Sequence, residues 1–537
     1  MAPLSFSNAW LQAVICVAFV AAAVYQFASV TVSDDPSVNA FQAFWMTNSI
    51  GLGVMYLTHG LLGAACLLRS SYRKAPRKSD APQVPADWDK VVRELRVQDA
   101  EESSEKPAAL APASASEEAL APAPMPRTKA KLYFLTHMKT FLTFIVVTYH
   151  IVGQFTFHIM QGVGTTNGVK LGASDASIAT IAQFVFGNVS LYANLFYFMA
   201  AFFFISGIFC PKSLDKKGFC VFVLDKLMRL GGPFLFFNFV LGPLLTVASN
   251  AFGGQPLPHY TPAPGPTWFI FWLLNFSVLY AVIAQVMPVI RFKMPHPVLV
   301  SVVSVALGIA LFAMNYPLGL STAPWGVLWN NVSISMLVTL YIPFFAAGII
   351  AGRSGWLETI VSRPQWLQWI ARAYIIICVA LLATGFVLCP DFGAILDTSG
   401  HNPMNRLSWI AAALVGRYSV AMTLTLIQLF HQRLNFKTKF MGAMGAAAYA
   451  VYIIHPWIFN LWIMVFVEIL KAAHVPIVFQ SGGGGPCFFT TDAAGNSAAL
   501  SGGMLWGGQT FVFVLTQLTV WPIAYYLRKL PVLNKML

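Results

Sequence analysis

The chain has 537 residues, of which 57% are hydrophobic and only 10% are charged, and its mean hydropathy is +0.67. This composition excludes a soluble protein of this size and indicates an all-α, polytopic membrane protein. A β-barrel is disfavoured because the apolar runs are continuous and do not alternate with polar residues.

Apolar runs of about 20 residues, the length needed to cross a bilayer, recur along the chain. Two come before a long polar segment and ten follow it. The predicted spans are 8–30, 41–68, 140–159, 180–209, 231–250, 267–290, 297–315, 333–351, 369–389, 407–430, 446–470 and 506–527. The polar segment is rich in Ala, Pro, Glu and Ser, so it lacks the apolar surface needed to fold.

We therefore predict three regions. Residues 1–70 form an N-terminal two-span transmembrane hairpin, residues 71–131 form a disordered cytosolic linker, and residues 132–537 form a ten-span bundle. With twelve spans, 29 of the 33 Lys and Arg residues flank one side of the membrane. Cytosolic loops carry such an excess, so the linker and both termini are predicted to be cytosolic.

The same asymmetry accounts for the net charge of +13, so we expect no nucleic acid as a partner. Membrane lipids are the expected partners, and the sequence leaves the oligomeric state open. The seven cysteines show no CxxC spacing, which argues against a zinc site, and we expect no metal.

The first candidate stretch runs from Tyr133 to His150. Lys139 and His150 are eleven residues apart, which in a helix places both side chains on one face, roughly 16 Å apart along the axis. A histidine inside a span is costly and is a candidate functional residue. The alternative is a histidine that is hydrogen-bonded within a helix bundle.

The second candidate stretch runs from Phe203 to Pro233. Lys226 and Arg229 are three residues apart, so on a regular helix they face the same way, and cations of this kind suit phosphate groups. The alternative is ordinary anchoring to lipid headgroups, which we prefer for the lysines of the preceding loop.

Two further stretches carry aromatic and histidine residues. In Ala448–Trp457, His455 is predicted about 14 Å deep, and Pro456 frees the carbonyl of Tyr452. This pattern fits a cavity wall or a simple bend. In Gly265–Tyr280, Trp268 is expected at the outer interface, where the aromatic belt alone explains a Trp.

Arg417 is the one Lys or Arg that the predicted layout places in the middle of a span. A buried guanidinium needs an anion or a carbonyl as its partner. We therefore weigh a substrate-binding role for Arg417 equally against a structural clamp.

Taken in order, four motifs of the chain resemble those of the acyltransferase-3 family of integral membrane acyltransferases, over about residues 132–537. They are YFLTHMKTFLTFIVVTYH, FFFISGIFCPKSLDKKGF with LDKLMRLGGP, TWFIFWLLNFSVLY and YAVYIIHPW. The resemblance implies ten core spans, a coenzyme A thioester as acyl donor, and transfer to a hydroxyl.

In the resemblance, Lys139 and His150 match the family's basic-x10-His motif, and Lys226 and Arg229 match its pair of basic residues three apart. The chain departs from the pattern in carrying Lys at both first positions, where Arg is usual. The family often has an acidic residue early in the first motif, and Thr136 stands in that neighbourhood here.

The resulting hypothesis is a membrane O-acyltransferase that uses acyl-CoA, with acetyl-CoA expected, and a glycan, lipid or other hydroxyl acceptor. His150 and His455 would be catalytic, and Lys139, Lys226 and Arg229 would bind the donor. Arg417, Tyr452 and Trp268 would bind the acceptor. The main alternative is a secondary transporter of a lipid or organic anion.

Overall fold

The computed structural model describes residues 8–28, 53–69, 133–159, 178–315, 338–389, 392, 396, 406–480, 487–491, 497–498 and 500–536. The predicted linker, 71–131, lies outside these residues. The helices, in chain order, are α1 (Asn8–Ala28), α2 (53–69), α3 (Tyr133–Gly153), α4 (Ile178–Leu195), α5 (Phe198–Lys217), α6 (Phe219–Phe252), α7 (Trp268–Val286), α8 (Pro297–Asn315), α9 (Val338–Ser354), α10 (Trp356–Val361), α11 (Gln365–Leu388), α12 (Arg406–Arg433), α13 (Lys439–Ala472), α14 (Gly502–Leu527) and α15 (Leu533–Met536).

The prediction of an all-α, polytopic membrane protein is confirmed. Among the described residues, eight helices are long and apolar enough to cross a membrane, and three shorter apolar helices accompany them. Every predicted span overlaps a helix. The total of twelve crossings and the division into three regions stay predictions.

Glycines allow helices to cross at very short range in the bundle. Gly207 of α5 faces Gly348 of α9, and a Cβ at Gly207 would meet the backbone of Phe345 and Gly348. In a membrane, helices gain stability from such close van der Waals packing because lipid supplies no hydrophobic force between them. The α5–α9 crossing thus fixes the helix whose C-terminal end carries the lysines that precede α6.

Two prolines inside α6 free carbonyls that then accept hydrogen bonds from tyrosine side chains. A proline lacks the N–H that would bind the carbonyl four residues earlier. The carbonyl of Arg229, four residues before Pro233, accepts a hydrogen bond from the Tyr449 hydroxyl at 2.5 Å. The carbonyl of Phe239, four residues before Pro243, accepts one from Tyr260 at 2.7 Å.

Helix α6 contains two wide π turns, Leu227–Gly231 and Phe237–Leu241, and each one ends at a Gly-Pro pair. Turns of this kind are rare and are often found at functional sites. The first one contains Arg229.

A small antiparallel sheet, which the sequence did not predict, follows α13. Its strands are β1 (Ile477–Gln480), β2 (Cys487–Thr491) and β3 (Ser497–Ala498), and Phe479 pairs with Phe488. The Phe479 ring packs edge-on against Phe252 at the end of α6, with centroids 5.5 Å apart. The first two strands contain Ile, Val, Phe and Thr, which are residues that favour strands when a surface covers one face.

The N-terminal helices belong to the same compact unit as the bundle. The ring of Phe19 in α1 packs against Tyr56 in α2, and Tyr56 packs against Phe271 in α7. The Asn238 side chain in α6 donates a hydrogen bond to the Tyr56 hydroxyl at 3.3 Å. These contacts join α1 and α2 to the helix that carries Arg229.

Candidate functional site

Two histidines that lie 305 positions apart in the chain meet inside the bundle. The ring centroids of His150 in α3 and His455 in α13 are 5.0 Å apart, with 40° between the ring planes. Phe459 stacks on His150 at 6.4 Å, with the rings nearly parallel. The two predicted catalytic residues are therefore neighbours in the structure.

The position of Pro456 fixes the tautomer of His455. The Tyr452 carbonyl, which Pro456 leaves free, lies 2.8 Å from His455 Nδ1. A carbonyl oxygen only accepts hydrogen bonds, so Nδ1 carries the hydrogen and Nε2 of the neutral ring is the acceptor. His455 is 0% exposed, and its Nε2 has no hydrogen-bond partner in the described part of the chain. A buried lone pair is thus held next to His150.

Aromatic residues of α7 and α13 form a wall beside the histidines. The Tyr452 hydroxyl donates a hydrogen bond to the carbonyl of Pro266, and its ring contacts His455, with centroids 6.0 Å apart. Trp268 stacks on Tyr341 at 5.9 Å and touches Phe269, which in turn contacts Tyr452. Trp268 and Tyr452 therefore belong to one aromatic cluster with His455.

Five titratable side chains beside α3 keep some accessible surface although protein atoms surround most of each one. They are Lys139, Tyr149, His150, Lys226 and Tyr449. The set includes two of the predicted donor-binding cations and the His150 imidazole.

The predicted donor-binding cations lie close together. The ammonium groups of Lys139 and Lys226 interact electrostatically, and Lys226 also interacts with Arg229. Lys139 lies over the Phe209 ring at 4.3 Å, and Lys226 lies over Phe222 at 5.3 Å. The two lysines are thus packed on aromatic faces, where their charges repel each other.

Lys226 and Arg229 do not project equally into the protein. Lys226 is half-buried, whereas the Arg229 side chain is 61% exposed and binds Asp225 at 3.2 Å. A π turn begins after Lys226 and widens the helix between the two residues. The rule that residues three apart share a face holds for a regular α-helix, so it does not fix the directions of these two side chains.

Several contacts near the cations were not predicted from the sequence. Asp225 joins Arg229 to Lys217 through a 2.7 Å ion pair. The Tyr449 hydroxyl holds the Arg229 carbonyl, and its position three residues before Tyr452 on α13 was the signal that could have identified it. These contacts come from elements far apart in sequence, and spacing within a motif does not reveal them.

A second ion pair joins the end of α5 to α9. The Arg353 guanidinium donates to both carboxylate oxygens of Asp215 and, at 3.0 Å, to the Tyr280 hydroxyl. Asp215 lies near the C-terminal end of α5, because the segment predicted as a basic loop is helical up to Lys217 and only Gly218 separates α5 from α6. The pair therefore fixes the basic end of α5.

Arg417 packs against α11 and not against the histidine pair. Its guanidinium is over the ring of Tyr374 in α11 at 4.8 Å and interacts electrostatically with Cys378. Within the described ranges, no contact joins Arg417 to either histidine. The substrate-binding role predicted for Arg417 therefore gains no support from this geometry.

The acyltransferase-3 family model, described as an acyltransferase domain, matches residues 132–525. The match covers most of the chain and contains all four motifs, whereas α1 and α2 lie outside it. No curated protein and no solved structure was found to match the chain. Together with the apolar helices of the bundle, the match shows that the chain belongs to the acyltransferase-3 family and is a multi-pass membrane acyltransferase.

Proposed function

We propose that the chain transfers an acyl group, expected to be acetyl, from acyl-CoA to a hydroxyl of a glycan, lipid or other acceptor. One observation carries the proposal: His150 and His455 lie 5.0 Å apart, and His150 shares α3 with Lys139, whose ammonium group neighbours Lys226. Family membership supports acyl transfer in general; the donor, the acetyl group and the hydroxyl acceptor belong to the proposal.

The cations are proposed to hold the phosphates of the donor. Lysine binds phosphate as a point charge, and arginine adds donors in a planar fork. An anion placed between Lys139 and Lys226 would relieve their mutual repulsion. The distance of roughly 16 Å along α3 then leaves room for the thioester arm to reach His150.

The histidines are proposed to carry the chemistry. His150 keeps accessible surface, so it takes the proton of the acceptor hydroxyl as general base. The hydroxyl oxygen then attacks the thioester carbonyl carbon. The new C–O bond forms, the C–S bond breaks, and the proton passes from His150 to the departing sulfur, which leaves as free CoA thiol.

His455 is proposed to support His150 during this step. Its acceptor nitrogen lies beside the ring that becomes positively charged, and a lone pair in a dry site stabilises such a charge. Tyr452 and Trp268 are proposed to line the acceptor site, since they form the wall next to His455.

The test uses the full-length protein in lipid vesicles with labelled acetyl-CoA. Release of CoA thiol and transfer of label to the lipid and glycan fractions are both measured. We expect His150→Ala and His455→Ala each to lower kcat by about 100-fold or more, the usual range for a general base. Full turnover by folded His150→Ala would refute the proposed role, and uptake of intact donor without thiol release would favour the transporter.

Donor binding is tested in the same assay with Lys226→Gln. We expect the KM for acetyl-CoA to rise about tenfold while kcat changes little, because a charge-assisted contact to phosphate is lost. The matched control is Lys437→Gln, which removes an exposed charge on another basic loop. Equal KM values for the two variants would contradict the placement of the donor.

A further inference from the structure

An apolar groove of about 230 Å³ lies between α5, α8, α9, α10 and α12, away from the histidine pair. Along α8 its wall is formed by Leu299, Val303 and Leu307, which follow one helix face for about 12 Å. The two polar side chains in the lining are satisfied within their own helices: Ser304 donates to Ser301 and Thr423 donates to Ser419. The groove therefore presents almost only hydrocarbon.

A guanidinium lies at one end of this groove. Arg363 contacts the sulfur of Met294, a groove residue, at 3.7 Å, and it follows Ile360, another groove residue, by three positions. Arg363 is half-buried, and burial lowers the pKa of its guanidinium, which still leaves it charged at neutral pH. Within the described residues, no carboxylate interacts with it. A partly desolvated cation without an acidic partner is stabilised when it binds an anion.

The end of the groove that carries Arg363 is a fixed structure. Trp356, which lines the groove, donates a hydrogen bond to the Phe292 carbonyl at 2.7 Å. The buried side chain of Gln428 donates to the Ile360 carbonyl at 2.9 Å, and Gln368 donates to the Arg363 carbonyl at 2.9 Å. These bonds fix the segments on both sides of the guanidinium before any ligand binds.

The surrounding charge favours an anionic ligand. Arg291 and Lys293 are exposed on the loop that contributes Met294 to the groove. Basic segments beside a membrane attract anionic lipids, by about 1 kcal/mol per charge near the surface. The apolar groove suits an acyl chain, and the cation at its end and the basic rim suit a negatively charged headgroup. This combination fits an anionic phospholipid.

We propose that this groove and Arg363 bind an anionic phospholipid, with one acyl chain along α8 and the phosphate on the guanidinium. The site is separate from the proposed acyl transfer and does not depend on it.

The test is native mass spectrometry of the full-length protein in detergent, titrated with phosphatidylglycerol or with phosphatidylcholine of the same chains. We expect the wild type to bind phosphatidylglycerol about tenfold more tightly, and Arg363→Gln to remove this preference, since one charge-assisted contact is lost. Arg433→Gln, which removes an exposed charge at the C-terminal end of α12, is expected to keep it.

The groove itself is tested with two neighbouring residues of α8. Val303 lines the groove and Val302 does not, and both are well exposed, at 48% and 60%. We expect Val303→Trp to lower the affinity for both lipids about tenfold and Val302→Trp to leave it unchanged. Equal binding of the two lipids by the wild type, or unchanged binding by Arg363→Gln, would overturn the proposal. Displacement of bound phosphatidylglycerol by acetyl-CoA would also overturn it, because the groove would then belong to the donor.

Discussion

At the scale of single residues, proline directs polar contacts inside an apolar bundle. Pro233, Pro243 and Pro456 each free a carbonyl four residues earlier, and each carbonyl then accepts a hydrogen bond from an aromatic or histidine side chain. Where no water is available, such a partner matters, because an unsatisfied carbonyl costs several kcal/mol in hydrocarbon. The freed carbonyl thereby helps to position the side chain that binds it and, for His455, also selects the tautomer.

This reasoning gives a prediction for Pro456→Ala. The new N–H at position 456 would bind the Tyr452 carbonyl and compete with His455 Nδ1. Because the ring would lose its fixed tautomer, we expect kcat to fall about tenfold, the equivalent of one hydrogen bond, while the KM for acetyl-CoA stays near its wild-type value.

The control for this change is Pro522→Ala, which alters a proline inside helix α14. The measurement is steady-state acyl transfer over a range of donor concentrations. An equal loss of kcat in both variants would point to a general effect on the bundle and would contradict the role given to Pro456.

At the scale of elements, the basic end of α5 and the cations of α6 are held by the packing of neighbouring helices. Helix α5 crosses α9 at a pair of glycines, and nearer its basic end the Asp215–Arg353 pair joins the same two helices. Helix α6 carries Lys226 and Arg229 into a π turn. The geometry of the cationic cluster thus depends on how closely α5 and α9 approach.

The crossing predicts a large effect for a small change. In Gly207→Ala the added Cβ would collide with the backbone of α9, which cannot move aside as a flexible side chain can. We expect a loss of about 1–3 kcal/mol in stability, typical of overpacking, and a lower midpoint of thermal unfolding.

Gly442→Ala is the matched control, since a Cβ at Gly442 meets nothing within 4 Å. Alanine is also the better helix former, so this variant should be as stable as the wild type or slightly more so. Thermal unfolding followed by tryptophan fluorescence compares the two. If both variants kept the wild-type midpoint, the close approach of α5 and α9 would be refuted.

At the scale of the whole molecule, the N-terminal helices lie outside the family match yet pack against α6, the helix that carries Lys226 and Arg229. Phe19 is fully buried, stacks on His59, and lies where a Cβ on Gly231 of the π turn would collide with it. We therefore expect residues 8–28 and 53–69 to unfold together with the bundle.

Phe19→Ala tests this expectation. Loss of a fully buried phenylalanine leaves a cavity and should cost about 3 kcal/mol, with a lower thermal midpoint for the whole protein. Val17→Ala changes a side chain that is 68% exposed and serves as the control. A wild-type midpoint for Phe19→Ala would show that the N-terminal helices are independent of the bundle.

The amino-acid sequence by itself determined the class of protein, the positions of the helices and the family. Hydropathy over about 20 residues is a local property, and it identified helices such as α11 and α14 because a span must satisfy its own backbone in lipid. Motif order identified the family, and the spacing of Lys139 and His150 placed both on one face of α3.

Only the tertiary structure decided which of these residues meet. It brought His150 to His455 and Lys139 to Lys226, added Tyr449 and Asp225 to the cluster, and placed Arg417 against Tyr374. It also revealed the π turn at Arg229 and the strands after α13. The physical reason is that these features depend on contacts between distant segments, whereas spacing along one helix describes only that helix.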